Sequence, residues 1–233
     1  MEFVLVFTII GIFTLVCIIL VLVDDYKSKH HSNGQSYTTY YDYDRVEQEQ
    51  FGKAGERYVA KMLENIARFN KATVFNDYTF IDDKGYSTNI DHILVCQGGV
   101  FVIETKSNKG IIVGHESSEN WGAKKEDWQD DKIFRNPVLQ NQGHINHLRR
   151  MFKTNPPKMI SMIIFPAADS LEYVDASCVY DVSGAEDFIL EKIAEGKYSP
   201  EFVDRITNQL QDIIDEYGIT LEEHRANIRK IYK

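Results

Sequence analysis

The chain has 233 residues, enough for one ordinary domain with an appendage, and its 43% hydrophobic and 12% aromatic residues can bury a sizeable core, which excludes a disordered protein. Its 26 Lys and Arg against 35 Asp and Glu leave a net charge of −9, which excludes a protein that coats nucleic acid by neutralising phosphates along its surface. Cys17, Cys96 and Cys178 lie far apart with no metal-ligand spacing, so neither a disulfide framework nor a zinc site is suggested, in keeping with a reducing compartment.

Phe3 to Val23 carries no charge over 21 positions, long enough as a helix to span the ~30 Å apolar core of a bilayer, and reads as a transmembrane anchor over residues 1–25. A cleaved signal peptide is the weaker reading, because Glu2 precedes the apolar run and Asp24-Asp25 ends it. Lys27 and Lys29 follow the span, so the positive-inside rule puts the bulk of the chain on the cytoplasmic side of a membrane, crossed once. Residues 26–50 are polar, with Tyr37, Tyr40, Tyr41 and Tyr43 among Ser, Thr and Asp, and read as a flexible tether.

The third segment, 51–233, is the domain. From Gly52 to Phe69 the apolar residues Val59, Met62, Leu63 and Ile66 recur at helical spacing, and Glu56 falls close to their stripe. An acid near a helix start also has a bland explanation, attraction to the helix dipole. Val74 to Ile81 reads as a strand, closed by a turn at Asp82-Asp83-Lys84-Gly85. Thr88 to Cys96 and Val100 to Lys106 read as two strands joined by a Gly98-Gly99 hairpin, since both glycines tolerate positive φ. Pairing Gln97 with Val100 sets Asp91 opposite Lys106 and Ile93 opposite Glu104, with the three polar groups converging on one face by the period of two.

Gly110 to Gly114 suggests a further strand, followed by a polar loop containing Trp121 and Trp128. Asn136-Pro137 opens a helix, Asn as N-cap and Pro in the first turn, with Val138, Ile145, Leu148 and Phe152 on its apolar face. Met159 to Phe165 reads as a buried strand, Cys178 to Val182 as a weaker one, and Ala185 to Ile193 and Pro200 to Tyr217 as helices. Strands interleaved with helices make the class α/β.

Asp91 followed by Glu104-Thr105-Lys106 resembles the split acidic signature of the restriction-endonuclease-like superfamily. Taken with Gly52-Lys53-Ala54-Gly55-Glu56, Asn89 to Val95, Gly99 to Lys106, Trp121 and Asn136-Pro137-Val138-Leu139-Gln140, the pattern resembles the NERD (nuclease-related) domain, with the motifs between Phe51 and Phe152. The resemblance implies a mixed sheet flanked by helices and a metal-dependent nuclease hydrolysing phosphodiesters, with DNA the expected partner. It implies that Asp91 and Glu104 hold Mg²⁺ or Mn²⁺, that Lys106 contacts the scissile phosphate or the attacking water, and that Glu56 and Gln140 line the site. Hard carboxylate oxygens favour these ions over zinc.

Other readings of the same residues are plainer. Glu104 and Lys106 alone could form an exposed ion pair worth ~0–1 kcal/mol, but the continuously apolar Val100 to Ile103 argues for a strand buried on both faces. His92, by alternation, points away from Asp91 and reads as structural. His144 and His147 read as solvated, Trp121 as core, and Arg149, Arg150 and Lys153 equally as backbone contacts or a solvated helix end. The negative charge and the anchor leave open a second function, a catalytically weak module that binds nucleic acid or protein at a membrane. A third is a Tyr-rich tether that recruits a protein partner. No P-loop run occurs, so no motor is expected in this chain.

Overall fold

The computed structural model describes residues 36–124, 132–153 and 155–231, with side chains from residue 49 onward. The chain divides into two units, Met1–Glu49 and Gln50–Lys233. The apolar run Phe3 to Val23 lies outside the described residues, as does Trp128; among the described residues no helix is long and apolar enough to cross a membrane. Helix α1 spans Ser36–Phe69, so the backbone expected to be an irregular tether is helical from Ser36 onward. Residues 36–51 contain neither Gly nor Pro, and nothing local breaks a helix there.

Strands β1 (Thr73–Ile81), β2 (Ser87–Cys96), β3 (Gly99–Thr105), β7 (Met159–Ile164) and β9 (Val179–Tyr180) form a mixed sheet in the order β1-β2-β3-β7-β9. Helices α2 (Pro137–Met151) and α4 (Pro200–Tyr217) cover one face through Ile145, Leu148, Ile206 and Leu210. On the other face, α1 and α3 (Val182–Glu195) pack Val59, Leu63, Ala185 and Ile189 against Leu94, Phe101 and Met162. The apolar stripe read from α1 is therefore the stripe that is buried. β3 is central, antiparallel to β2 and parallel to β7, and every residue of it is buried. That is the environment its unbroken apolar run requires.

A second mixed sheet, β6-β5-β4-β8, is built from Gly110–His115 (β4), Asn120–Lys124 (β5), Lys132–Arg135 (β6) and Ala168–Asp175 (β8). One sheet was expected, and the segment between His115 and Asn136 was expected to be a loop; it instead supplies two strands of this sheet. Trp121 on β5 is buried and stacks on Phe165, ring centroids 6.4 Å apart. A last helix, α5, runs Leu221–Ile231.

The β2–β3 hairpin differs from expectation by two residues. Cys96 pairs with Gly99 and Val95 with Val100, so Gln97-Gly98 make the turn and Gly99, at φ +141°, opens β3. Gly98 instead admits α3, since a Cβ there would lie 2.7 Å from the Lys192 carbonyl carbon. Continuing the register sets Asp91 beside Glu104 rather than Lys106. Because side chains alternate with a period of two, a two-residue shift leaves the acids on the expected face.

Candidate functional site

Four elements bring the site together at the C-terminal end of β3. Glu104 is its penultimate residue and only 3% exposed. Lys106 follows the strand, its backbone N–H held by Ile164 O at 2.9 Å, so the end of β7 fixes where the lysine leaves the sheet. Lys106 Nζ donates to Glu104 Oε1 at 2.5 Å and to Gln140 Oε1 at 3.1 Å. Gln140 Nε2 donates to the same Glu104 oxygen at 2.7 Å. Asp91 Oδ2 accepts the Thr105 N–H at 2.8 Å. The pair expected as an alternative to be exposed and inconsequential thus has its acid buried and its lysine half-buried, with Gln140 bonded to both.

Asp91 sits at an interruption of the sheet. The β1–β2 register runs from Thr73↔Val95 to Asn76↔His92 and resumes at Tyr78↔Ile90, skipping Asp77 and Asp91. Asp77 has φ +50°, a left-handed conformation uncommon for a residue with a side chain. Phe75 and Ile93 before the break, and Tyr78 and Ile90 beyond it, pack into the same core. A strict period of two would put them on opposite faces, so the break resets the alternation where the acid stands.

One glycine admits α1. A Cβ on Gly55 would come within 2.0 Å of Ser107 Oγ, and Ser107 Oγ donates to Gly52 O at 3.3 Å. The helix therefore lies directly against the residues after Lys106, and Glu56 comes within the field of the cluster. Burial, then Asp77 and Glu104, raises the Glu56 carboxyl above its usual value, with Lys53 and Lys106 opposing.

Helix α2 is pinned on both sides of Gln140. Asn136, fully buried, caps the helix by accepting Val138 N–H at 2.8 Å, while its Nδ2 donates to Glu116 O at 2.8 Å and Ser118 O at 2.6 Å. Asn141 Nδ2 donates to Val102 O and Ser161 Oγ, both at 2.9 Å, tying the next residue to β3 and β7. The Asn-Pro start was readable as a cap. The tie from Asn141 gave no sequence signal, because an asparagine inside a helix looks like a solvated residue.

Two expectations about histidines are corrected. His144, one turn after Gln140, is not simply solvated: its Nε2 is 3.4 Å from Glu104 Oε2 and 3.4 Å from Gln140 Nε2. His147 is buried, bonded to Thr88 Oγ1 through Nδ1 and to Asp82 Oδ2 at 3.0 Å through Nε2. His92 is buried as a structural residue would be, with Asn76 Oδ1 2.8 Å from its Nδ1; burial holds its pKa down to about 4 against the pull of Glu104.

The electrostatics of the cluster are those of too much negative charge in too little water. Burial, then Glu104, pushes the Asp91 carboxyl well above its ordinary range, with the Thr105 N–H pulling the other way. Burial would raise Glu104 too, but the His144 ring and the Lys106 ammonium outweigh it and hold that carboxyl below its usual value. Glu104 Oε2 is buried and accepts no hydrogen bond of ordinary geometry. An orphaned anionic oxygen beside a second carboxylate suits a hard divalent cation, which would neutralise both. Asp91 and Glu104 therefore fit Mg²⁺ or Mn²⁺ as a partial ligand set, water and phosphate oxygens completing the shell as is usual for Mg²⁺. Among the described residues, no three His, Cys, Asp or Glu side chains form a complete cage.

Comparison with known proteins bears on the domain that carries these residues. Residues 51–166 match the family described as NERD, nuclease-related domain, so a nuclease-related domain is found here, extending past the expected motif region to include β7. A Bacillus anthracis protein described as uncharacterized is 35% identical over 124 residues, 53% of this chain and 57% of that relative. The chain thus spans little more than half the length of that relative. No solved structure matches.

Proposed function

We propose that the domain is a metal-dependent nuclease that hydrolyses phosphodiester bonds of DNA, with Asp91, Glu104 and Lys106 as its working residues and Glu56 and Gln140 lining the site. The observation that carries this reading is the buried Glu104, joined by Lys106 and Gln140 on one oxygen and left without an ordinary partner on the other. A buried carboxylate with an unsatisfied oxygen is costly to stability, and such arrangements are retained at sites of chemistry.

Asp91 and Glu104 would hold Mg²⁺ or Mn²⁺, which when bound supplies neutralisation of phosphate charge and a more acidic water. Lys106, whose side chain is 21% exposed, stands at the open edge of the cluster and donates to a non-bridging phosphate oxygen or holds the attacking water. Gln140 keeps that ammonium in place from the opposite side. Glu56, an acid raised by its surroundings, would take up a proton as the phosphodiester is cleaved, leaving Asp91 ionised on the cation.

Residues 3–23 anchor this activity to a membrane, the domain facing the cytoplasm, with nucleic acid as the partner and a further protein recruited through the Tyr-rich segment. The second reading, a module that binds without cutting, is favoured by the partial ligand set and by the net charge of −9. One assay separates them. The full chain in detergent is incubated with single- and double-stranded DNA and RNA, with Mg²⁺, Mn²⁺ or EDTA, beside Asp91→Ala and Lys106→Ala. The nuclease reading expects cleavage of DNA that requires the metal and is lost in both variants; cleavage that EDTA or the variants leave untouched, or none at all, rejects it.

A further inference from the structure

His144 has no place in the motifs that marked the site, yet it lies against Glu104. Its Nε2 is 3.4 Å from Oε2, the oxygen that Lys106 and Gln140 leave alone, and its side chain is 17% exposed. A carboxylate oxygen has room for two partners. A ring N–H on one lone pair of Oε2 leaves the other for a cation, so the histidine does not compete with a metal. Gln140 Nε2, 3.4 Å from the same nitrogen, already donates to Glu104 Oε1; it can donate to the ring only in the tautomer with Nε2 bare, whereas in the tautomer with Nε2 protonated the ring N–H is free for Oε2. His144, Gln140 and Lys106 therefore surround Glu104 from one side, and the two asparagine anchors fix the helix that carries the first two. Contacts that are long without substrate commonly tighten when a site is loaded.

We propose that His144 is a positioning residue for Glu104, donating to Oε2 so that the carboxylate presents its remaining lone pair to a divalent cation. This rests on the reading of Asp91 and Glu104 as the cation's ligands. Groups that hold a ligand carboxylate in place are worth ~10–100-fold in metal affinity when removed, and that is the effect the proposal assigns to this side chain.

The test is Mn²⁺ binding to the full chain in detergent micelles, followed by calorimetric titration without nucleic acid, for wild type, His144→Gln, His144→Phe and His144→Ala. The expected result is a Kd about 10–100-fold weaker in His144→Phe and His144→Ala, with His144→Gln within a few-fold of wild type because its amide restores the N–H. His144→Phe fills the same space without a donor, so a loss there with an unchanged thermal unfolding midpoint assigns the effect to the hydrogen bond and not to packing. Wild-type affinity in His144→Phe overturns the proposal while leaving the cation reading intact. A wild-type chain that binds no Mn²⁺ overturns both.

Discussion

Helix α2 carries two histidines, His144 and His147, each set against a carboxylate, and the two pairs are built to opposite ends. His147 is saturated: Thr88 Oγ1 meets one ring nitrogen, Asp82 Oδ2 the other, and the ring lies 4.9 Å from that of Phe80. Asp82 is saturated as well, its Oδ1 accepting the Lys84 N–H at 3.0 Å and the Tyr86 N–H at 2.9 Å. This network closes the β1–β2 turn and straps it to α2. The His144–Glu104 pair leaves a buried oxygen open instead. A fully satisfied polar network rigidifies a fold, while an unsatisfied one stores free energy that a ligand can release.

The comparison is broken hardest at Glu104. Glu104→Gln keeps the shape but removes the charge, and is expected to cut metal-dependent cleavage by about 100–1000-fold, the range for losing one preorganised electrostatic group, with unfolding by denaturant little changed. His147→Ala should do the reverse. Removing a buried, doubly bonded ring is expected to cost about 2–4 kcal/mol in urea unfolding while Mn²⁺ affinity stays near wild type. A variant that lost affinity in step with stability would show that the two pairs are not separate. Gly55→Ala comes next: the new methyl meets Ser107 Oγ and lies 3.1 Å from Pro166 Cγ, so the serine hydroxyl must turn away from Gly52 O and α1 must ease slightly off the end of β3, at about 1–3 kcal/mol, with a drop in activity as Glu56 shifts.

The smallest effect is on pH dependence. Burial outweighs the attraction of Asp82 and holds the His147 pKa below its ordinary value, with Arg150 adding to the depression. The unfolded chain then takes up this proton near pH ~6.5 while the folded chain resists, so stability is whole above that pH and is lost as pH falls below it. Asp82 is also depressed: burial opposes, but the Tyr86 N–H, His147 and the Lys84 N–H prevail. Its contribution is present above pH ~3.9 and is lost as pH falls through the folded value. Stability should therefore decline from about pH 6.5 downward, and His147→Asn should flatten the upper part of that slope.

What the sequence revealed follows from which interactions are local. Asn136-Pro137 and the stripe of α1 were legible because capping and helical periodicity act within a few residues. The double glycine was legible as a turn but not in its register, since the need for Gly98 comes from α3 lying against it, far along the chain, and not from the turn alone. β5 and β6 escaped notice because Asn120–Lys124 and Lys132–Arg135 are short and mixed in polarity, and are strands only through the partners they pair with. The site residues Glu56, Asp91, Glu104, Lys106 and Gln140 were gathered by motif. His144 and Asn141 were not, because a helix gives no local sign of which polar residue will face a strand bearing a buried acid.

The central claim, that Asp91 and Glu104 share a divalent cation, is tested most directly by a crystal structure of the chain soaked in Mn²⁺ with diffraction recorded for anomalous scattering. A single strong peak is expected in contact with Asp91 and with Glu104 Oε2, Lys106 remaining on Oε1. Ordered Asp91 and Glu104 side chains with no peak between them, at a Mn²⁺ concentration that supports cleavage, would contradict it.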